Sequence, residues 1–252
     1  MKQEVKPKLI YENPPKDGPE KIAIINDIHF PFHNEYHLNR ALDEIKEFDP
    51  DIIVLNGDVI DSPHLGKYLA HPNLKEHTDT QIALAWSLLS DLRKVHPNAR
   101  IIYIEGNHDW RVKGYLIRNA PELYDEMWLP ERLKLSDLNI EWVPTKSTVT
   151  KWTDAYIKIE DVYIGHFDKA VAKAGRTVQG IAMKKGNFNF VQAHIHRAAI
   201  NFFTDMEGNR TFGMEVPCLC QPPHYGNNND EQVGWGYLVK EYGVWRPYLK
   251  VF

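Results

Sequence analysis

Short apolar runs alternating with amphipathic stretches dominate the first half of the chain. Residues 21–27 (KIAIIND), 51–56 (DIIVLN) and 100–105 (RIIYIE) are apolar through most of their length and end on polar groups. That pattern predicts strands buried on both faces. Between the first two runs, Leu38, Ala41, Leu42, Ile45 and Phe48 recur at helical spacing, which predicts a helix over 37–48, stopped by Asp49-Pro50. Between the second and third, Ile82, Ala85, Trp86, Leu89 and Leu92 fall on one face of a longer helix over about 78–96, closed by Pro97-Asn98. Strands alternating with helices imply a parallel sheet with right-handed crossovers.

After Asn107 the periodicity breaks. Scattered aromatics (Trp110, Tyr115, Tyr124, Trp128, Trp142) and three prolines (Pro121, Pro130, Pro144) predict short helices and loops over 109–144, a cap or insertion at about 110–150. Short strands return at 156–159, 162–165, 188–193, 199–203, 211–216, 236–240 and 244–251, with hairpin turns at 205–209 and 241–243. One helix, over about 170–185, interrupts them. The sum is an α/β (α+β) arrangement of two packed sheets flanked by helices. Residues 21–252 are expected to form a single domain. Residues 1–20 are polar and carry Pro7, Pro14, Pro15 and Pro19 without the apolar core of a signal peptide, so an extended arm is expected there.

At 252 residues the chain is long enough to bury a full core. No apolar run approaches the roughly 20 residues of a membrane-spanning helix, so no membrane association is expected. The net charge of −4 argues against a surface coated with cations for nonspecific nucleic-acid binding. Cys218 and Cys220, two apart on a strand, would share a face and are poorly placed to bond to each other. They read as small buried hydrophobes in a reducing, cytoplasmic setting.

The candidate chemistry sits where the predicted strands end. Asp27-Ile28-His29 follows the first, Gly57-Asp58-Val59-Ile60-Asp61 the second and Gly106-Asn107-His108-Asp109 the third; Gly165-His166 and Ala193-His194-Ile195-His196 follow later ones. Strand ends are where ligand-rich loops of α/β folds converge. Asp27/His29 and His194/His196 have the spacing at which two side chains of an extended segment face the same way. Each motif alone is ordinary. The ordered set supplies carboxylate, amide and imidazole ligands enough for two metal ions, with a histidine to spare. Mixed N and O ligands without thiolate suit Mn, Fe, Zn, Co or Ni.

This ordered set resembles the calcineurin-like metallophosphoesterase superfamily, whose pattern is D-x-H, G-D-x-x-D, G-N-H-[ED], G-H and G-H-x-H. Ala193, where that family usually has Gly, is the departure within these blocks. The resemblance implies a four-layer α/β/β/α sandwich of two mixed sheets. It implies that Asp27, His29, Asp58 and His196 hold one metal, and Asp58, Asn107, His166 and His194 the other, with Asp58 bridging. It makes Mn²⁺ the first choice of metal, and it implies in-line attack on phosphorus by a metal-activated hydroxide. His108, not needed as a ligand, suits a general acid for the leaving alkoxide or a donor to phosphoryl oxygens, oriented by Asp61.

Ser/Thr phosphatases of this superfamily usually read D-I-H-G, G-D-x-x-D-R-G and G-N-H-E. Here Phe30, Ser62 and Asp109 stand at the differing positions. The missing arginine after Asp61 and the complete His194/His196 pair look more like the diesterase and nuclease branches. A phosphodiester of nucleic acid or nucleotide is therefore the expected substrate. A phosphomonoesterase on phosphoprotein or small metabolites is the alternative, and a metal-bound scaffold without turnover is a third reading. The layout also resembles phosphoesterases common in bacteriophage genomes, which would place the protein in host cytoplasm. Candidate substrate-side groups are Arg111, Arg197, His64 and His224, with Lys67, Tyr225 and an exposed, base-stacking Trp110 behind them.

Overall fold

The computed structural model describes residues 20–66, 77–124, 128–145, 154–167, 173–186, 188–221 and 230–252. Residues 1–19 of the expected N-terminal arm, Lys67, His224, Tyr225 and the first residues of the helix expected over 170–185 lie outside the described residues.

Two mixed sheets form the centre. Strands β1 (Lys21–Ile25), β2 (Ile52–Asn56), β3 (Arg100–Ile104) and β4 (Ile140–Val143) run parallel side by side. The second sheet has the order β5 (Ala155–Ile159), β6 (Val162–His166), β7 (Asn189–Gln192), β9 (Arg210–Glu215), β8 (Ala199–Thr204). Strands β10 (Gly234–Glu241) and β11 (Val244–Val251) return antiparallel to extend the first sheet beyond β1. Helices α1 (Glu35–Phe48) and α2 (Thr78–Val95) are the crossovers linking β1, β2 and β3. Asn34 caps α1, its side chain accepting a hydrogen bond from His37 N at 3.2 Å.

The layers follow from which faces are apolar. Alternate residues of β1–β3 point opposite ways. Ala23, Ile25, Ile53, Leu55, Ile101 and Tyr103 join Leu38, Ala41 and Ile45 of α1 and Ile82, Ala85 and Leu89 of α2 in one core. Ile22, Ile24, Val54, Ile102 and Ile104 face the second sheet and meet Ile164, Val191, Phe212 and Met214 in another. Val178 and Ala182 of α5 (Arg176–Lys185) cover Phe190 on the outer face of the second sheet. The order is helix, sheet, sheet, helix.

The expectation of helices and loops throughout 109–144 needs correction. Helix α3 (Trp110–Asn119) and the single turn α4 (Leu129–Arg132) are present, but residues 140–143 form β4, a strand pairing with β3 on one side. Its sequence, IEWV, is too short and too mixed to show strand periodicity, and Glu141 is held by Arg100 of β3 at 2.6 Å. Val112, Leu116, Leu129, Leu133 and Leu135 of this segment are buried in the first core. Cys218 and Cys220 are buried free thiols. Among the described residues, no helix is long and apolar enough to cross a membrane.

Candidate metal centre

The carboxyl ends of β1, β2, β3, β6 and β7 meet on one edge where the sheets pack. Beyond the strands, the β1 and β2 loops stay zipped together: Asp27 N donates to Gly57 O (3.0 Å), His29 N to Asp58 O (2.9 Å) and Asp61 N to Phe30 O (3.0 Å). Asp27, His29, Asp58, His194 and His196 all have positive φ. L-residues adopt that conformation at a cost, and it persists where the surroundings over-determine it. Two glycines make room for the convergence. A Cβ on Gly57 would overlap the His166 imidazole, and one on Gly106 would overlap the Asp58 carboxylate and backbone.

The predicted ligands come together in two groups that share Asp58. One is Asp27, His29 and Asp58; the other is Asp58, His166 and His194; in each, the ligand atoms lie within 4.8 Å of one another. His196 joins the first group, its Nε2 3.4 Å from Asp27 Oδ1. Asn107 joins the second, its Oδ1 3.0 Å from His166 Nε2. The donor set fits divalent cations by its chemistry, all imidazole nitrogen and oxygen. It also fits by what is left over: among the described residues, Asp27 Oδ1 and His29 Nε2 are buried without a hydrogen-bond partner, a costly state that a cation would relieve.

Each imidazole is aimed by the contact its other nitrogen makes. His166 Nδ1 lies 2.8 Å from Asn56 O, a carbonyl that can only accept, so Nδ1 carries hydrogen and Nε2 faces Asp58 Oδ2 at 3.2 Å. Asp61 Oδ1 takes two such contacts, from His29 Nδ1 at 2.8 Å and from His108 Nδ1 at 2.7 Å. Asp61 therefore aims a ligand candidate as well as His108, which the sequence did not suggest. His108 is nearly buried, and its backbone N donates to Asp58 Oδ1 at 2.7 Å.

The charged groups of the site balance one another. Burial opposes the imidazolium of His29, but contacts with Asp27 and Asp61 and the charge of Asp58 hold its pKa up to about 10. His166 is likewise held up to about 9 against burial, mainly by Asp58. His194 is pushed down to about 4 by burial and by neighbouring His166. The Asp58 carboxyl stays well below the usual range, because His166 and His108 outweigh the cost of its burial.

The substrate-side candidates divide. Arg111, in the first turn of α3, donates from Nη1 to Asp61 O at 2.8 Å and places Nη2 2.9 Å from His108 Nε2. Arg197 is buried and pairs with Asp230, Nε to Oδ2 at 2.9 Å. His64 is exposed, on the turn Pro63–Leu65. Trp110 is half-buried rather than exposed, because its ring folds back over Gly114, where no side chain blocks it.

Sequence reasoning gave Asp109 no role. Its buried carboxylate accepts from Gly106 N (2.9 Å), Asp58 N (2.9 Å), Ile60 N (3.1 Å) and Tyr103 Oη (2.9 Å), locking the β2 loop to the β3 loop. Burial, then the Asp58 charge, push its pKa up to about 6. The contact back to Gly106 N is the local signal that was available, an aspartate closing a turn on its own backbone.

A two-sheet α/β sandwich with a shared carboxylate between two donor groups defines a candidate dinuclear metal centre. The family model described as calcineurin-like phosphoesterase matches residues 20–216, and the chain belongs to that family. No curated protein matches it by sequence. Similar solved structures include the phosphoesterase Yfce of E. coli, at 14% identity, covering 86% of this chain and 87% of that one, with a TM-score of 0.40. A single mutant of Vps29 from Entamoeba histolytica matches at 10% identity over 92% and 99% of the two chains, TM-score 0.41. A phosphatase of Mycoplasma pneumoniae matches at 9% over 93% and 94%, TM-score 0.39.

Proposed function

We propose that this protein is a two-metal phosphoesterase, with phosphodiesters as its preferred substrates. The observation that carries the reading is Asp58, shared between two groups of N and O donors, with Asp27 Oδ1 and His29 Nε2 buried beside it without hydrogen-bond partners among the described residues. Asp27, His29, Asp58 and His196 would hold one divalent cation, and Asp58, Asn107, His166 and His194 the other. Two such ions supply Lewis-acid stabilisation of the phosphoryl oxygens and an acidified water as nucleophile.

The chain's own groups do the rest. Asp61 holds the His108 Nδ1 proton, so Nε2 is the atom turned outward, beside the Arg111 guanidinium. In that pair Arg111 is the donor, since a guanidinium does not accept. An arriving phosphoryl group takes up the Arg111 Nη2 hydrogen bond, freeing His108 Nε2 to take a proton from solvent and deliver it to the leaving oxygen.

The preference for diesters rests on charge. A monoester dianion needs more cationic cover than a diester monoanion. Ser62 stands where the phosphatases carry arginine after Asp61, and its backbone N is bound to Gln81 Oε1 at 2.8 Å. Arg111 is partly spent on Asp61 O. The test is hydrolysis of a generic phosphodiester and a generic phosphomonoester by Mn²⁺-loaded protein, with metal-stripped and Asp58→Ala controls. Metal-dependent diester cleavage, lost in Asp58→Ala, is expected. Faster monoester cleavage would select the alternative substrate class, and full turnover by Asp58→Ala would overturn the mechanism.

A further inference from the structure

The side of His196 that faces away from Asp27 is held by a segment remote from it in sequence. Glu231 Oε1 lies 3.4 Å from His196 Nδ1, and the Glu231 side chain is largely buried, 12% exposed. The same segment grips the His196 backbone. Gln232 N donates to His196 O at 2.8 Å, and Ala198 N donates to Gln232 Oε1 at 2.9 Å. Arg197 and Asp230 pair alongside. Three consecutive residues, Asp230, Glu231 and Gln232, thus dock on His196, Arg197 and Ala198. The Cys220 thiol also lies 3.9 Å from His196 Nδ1, and a thiol is a weak hydrogen-bond partner.

We propose that Glu231 is a positioning residue for the metal held by Asp27, His29 and His196, acting through His196. This rests on the two-metal reading above. Glu231 can only accept when ionised, so it keeps hydrogen on Nδ1 and leaves the Nε2 lone pair directed at the cation, 3.4 Å from Asp27 Oδ1. Its negative charge also raises the basicity of the imidazole as a ligand. It does for His196 what Asn56 O does for His166 and Asp61 does for His29. Each of these imidazoles then has an acceptor behind it, and Glu231 supplies the one that lies outside the strand-end motifs.

The experiment is metal titration of the metal-stripped full chain with Mn²⁺, following stoichiometry and affinity for native protein, Glu231→Leu and Glu231→Gln. Glu231→Leu is expected to bind one of the two ions about 10–100-fold more weakly while the other is unchanged. Glu231→Gln, which keeps an acceptor but no charge, should fall between Leu and the native residue. Melting of the metal-free variants should match the native protein, which separates aiming of a ligand from packing. Unchanged affinity for both ions in Glu231→Leu would overturn the proposal, as would equal weakening of both together with a lower melting temperature. A native chain that takes up fewer than two ions would instead overturn the two-metal reading, and this proposal with it.

Discussion

His108 is buried, with Asp61 on its Nδ1 and the Arg111 guanidinium on its Nε2, and it stands outside the two donor groups that share Asp58. A group so placed can be removed without dismantling the ligand set. His108→Ala is expected to lower kcat by about 10²–10⁴-fold with both metals retained, measured as turnover alongside metal content. Loss of metal in step with activity would show that His108 works structurally. The motifs that carry Asp27, His29, Asp58, Asn107, His166, His194 and His196 were legible in the sequence because each motif is local. The partners that aim them were not. Asp61 serving His29, Asn56 O serving His166 and Asp109 bracing the Asp58 backbone are contacts across 32, 110 and 51 positions. No spacing rule reaches that far.

Among the elements, α5 shows the same division. The sequence predicts a helix over about 170–185, and the structure begins it at Arg176, after Gly175 in the left-handed region (φ 77°). Its first turn is capped by Glu215 at the end of β9, which accepts from Gly175 N at 2.7 Å and Val178 N at 3.2 Å. Negative charge at a helix N-terminus is favourable, and buried N–H groups without partners are costly. Glu215→Ala should therefore destabilise the protein by about 1–3 kcal/mol without changing metal uptake, as read from denaturant unfolding and metal titration. An unchanged midpoint would remove this cap from the account. Strand β4 failed to show for a related reason. A four-residue edge strand is defined by the neighbour it pairs with, here β3, more than by its own pattern.

Across the whole molecule, the two sheets gather opposing charges at one edge, and that makes stability depend on both metal and pH. His29 and His166, held up to about 10 and about 9, stabilise the metal-free fold fully below the unfolded value of 6.5. That contribution is lost as pH climbs through their folded values. Metal binding requires the same imidazoles to be neutral, so protons compete with it in the same window. Between pH 6.5 and about 10 the metal-free protein should lose stability while the rise in melting temperature on adding metal grows. Thermal melts of stripped and loaded protein across that range measure both, and an increment that stays flat with pH would refute the competition.

The sequence by itself determined the elements with strong periodicity and the ligand types at the ends of their strands. Short β-branched apolar runs such as KIAII and RIIYI, bounded by polar groups, read as buried strands, and Asp-x-His or His-x-His sets what the end of a strand can offer. The tertiary structure decided which strand ends meet, that β4 joins the sheet and that Trp110 folds against Gly114. It also decided which remote acceptor stands behind each imidazole. Those are matters of distance between segments far apart in the chain, and they are set only when the two sheets pack on a shared core of Ile24, Val54, Ile104, Ile164 and Val191.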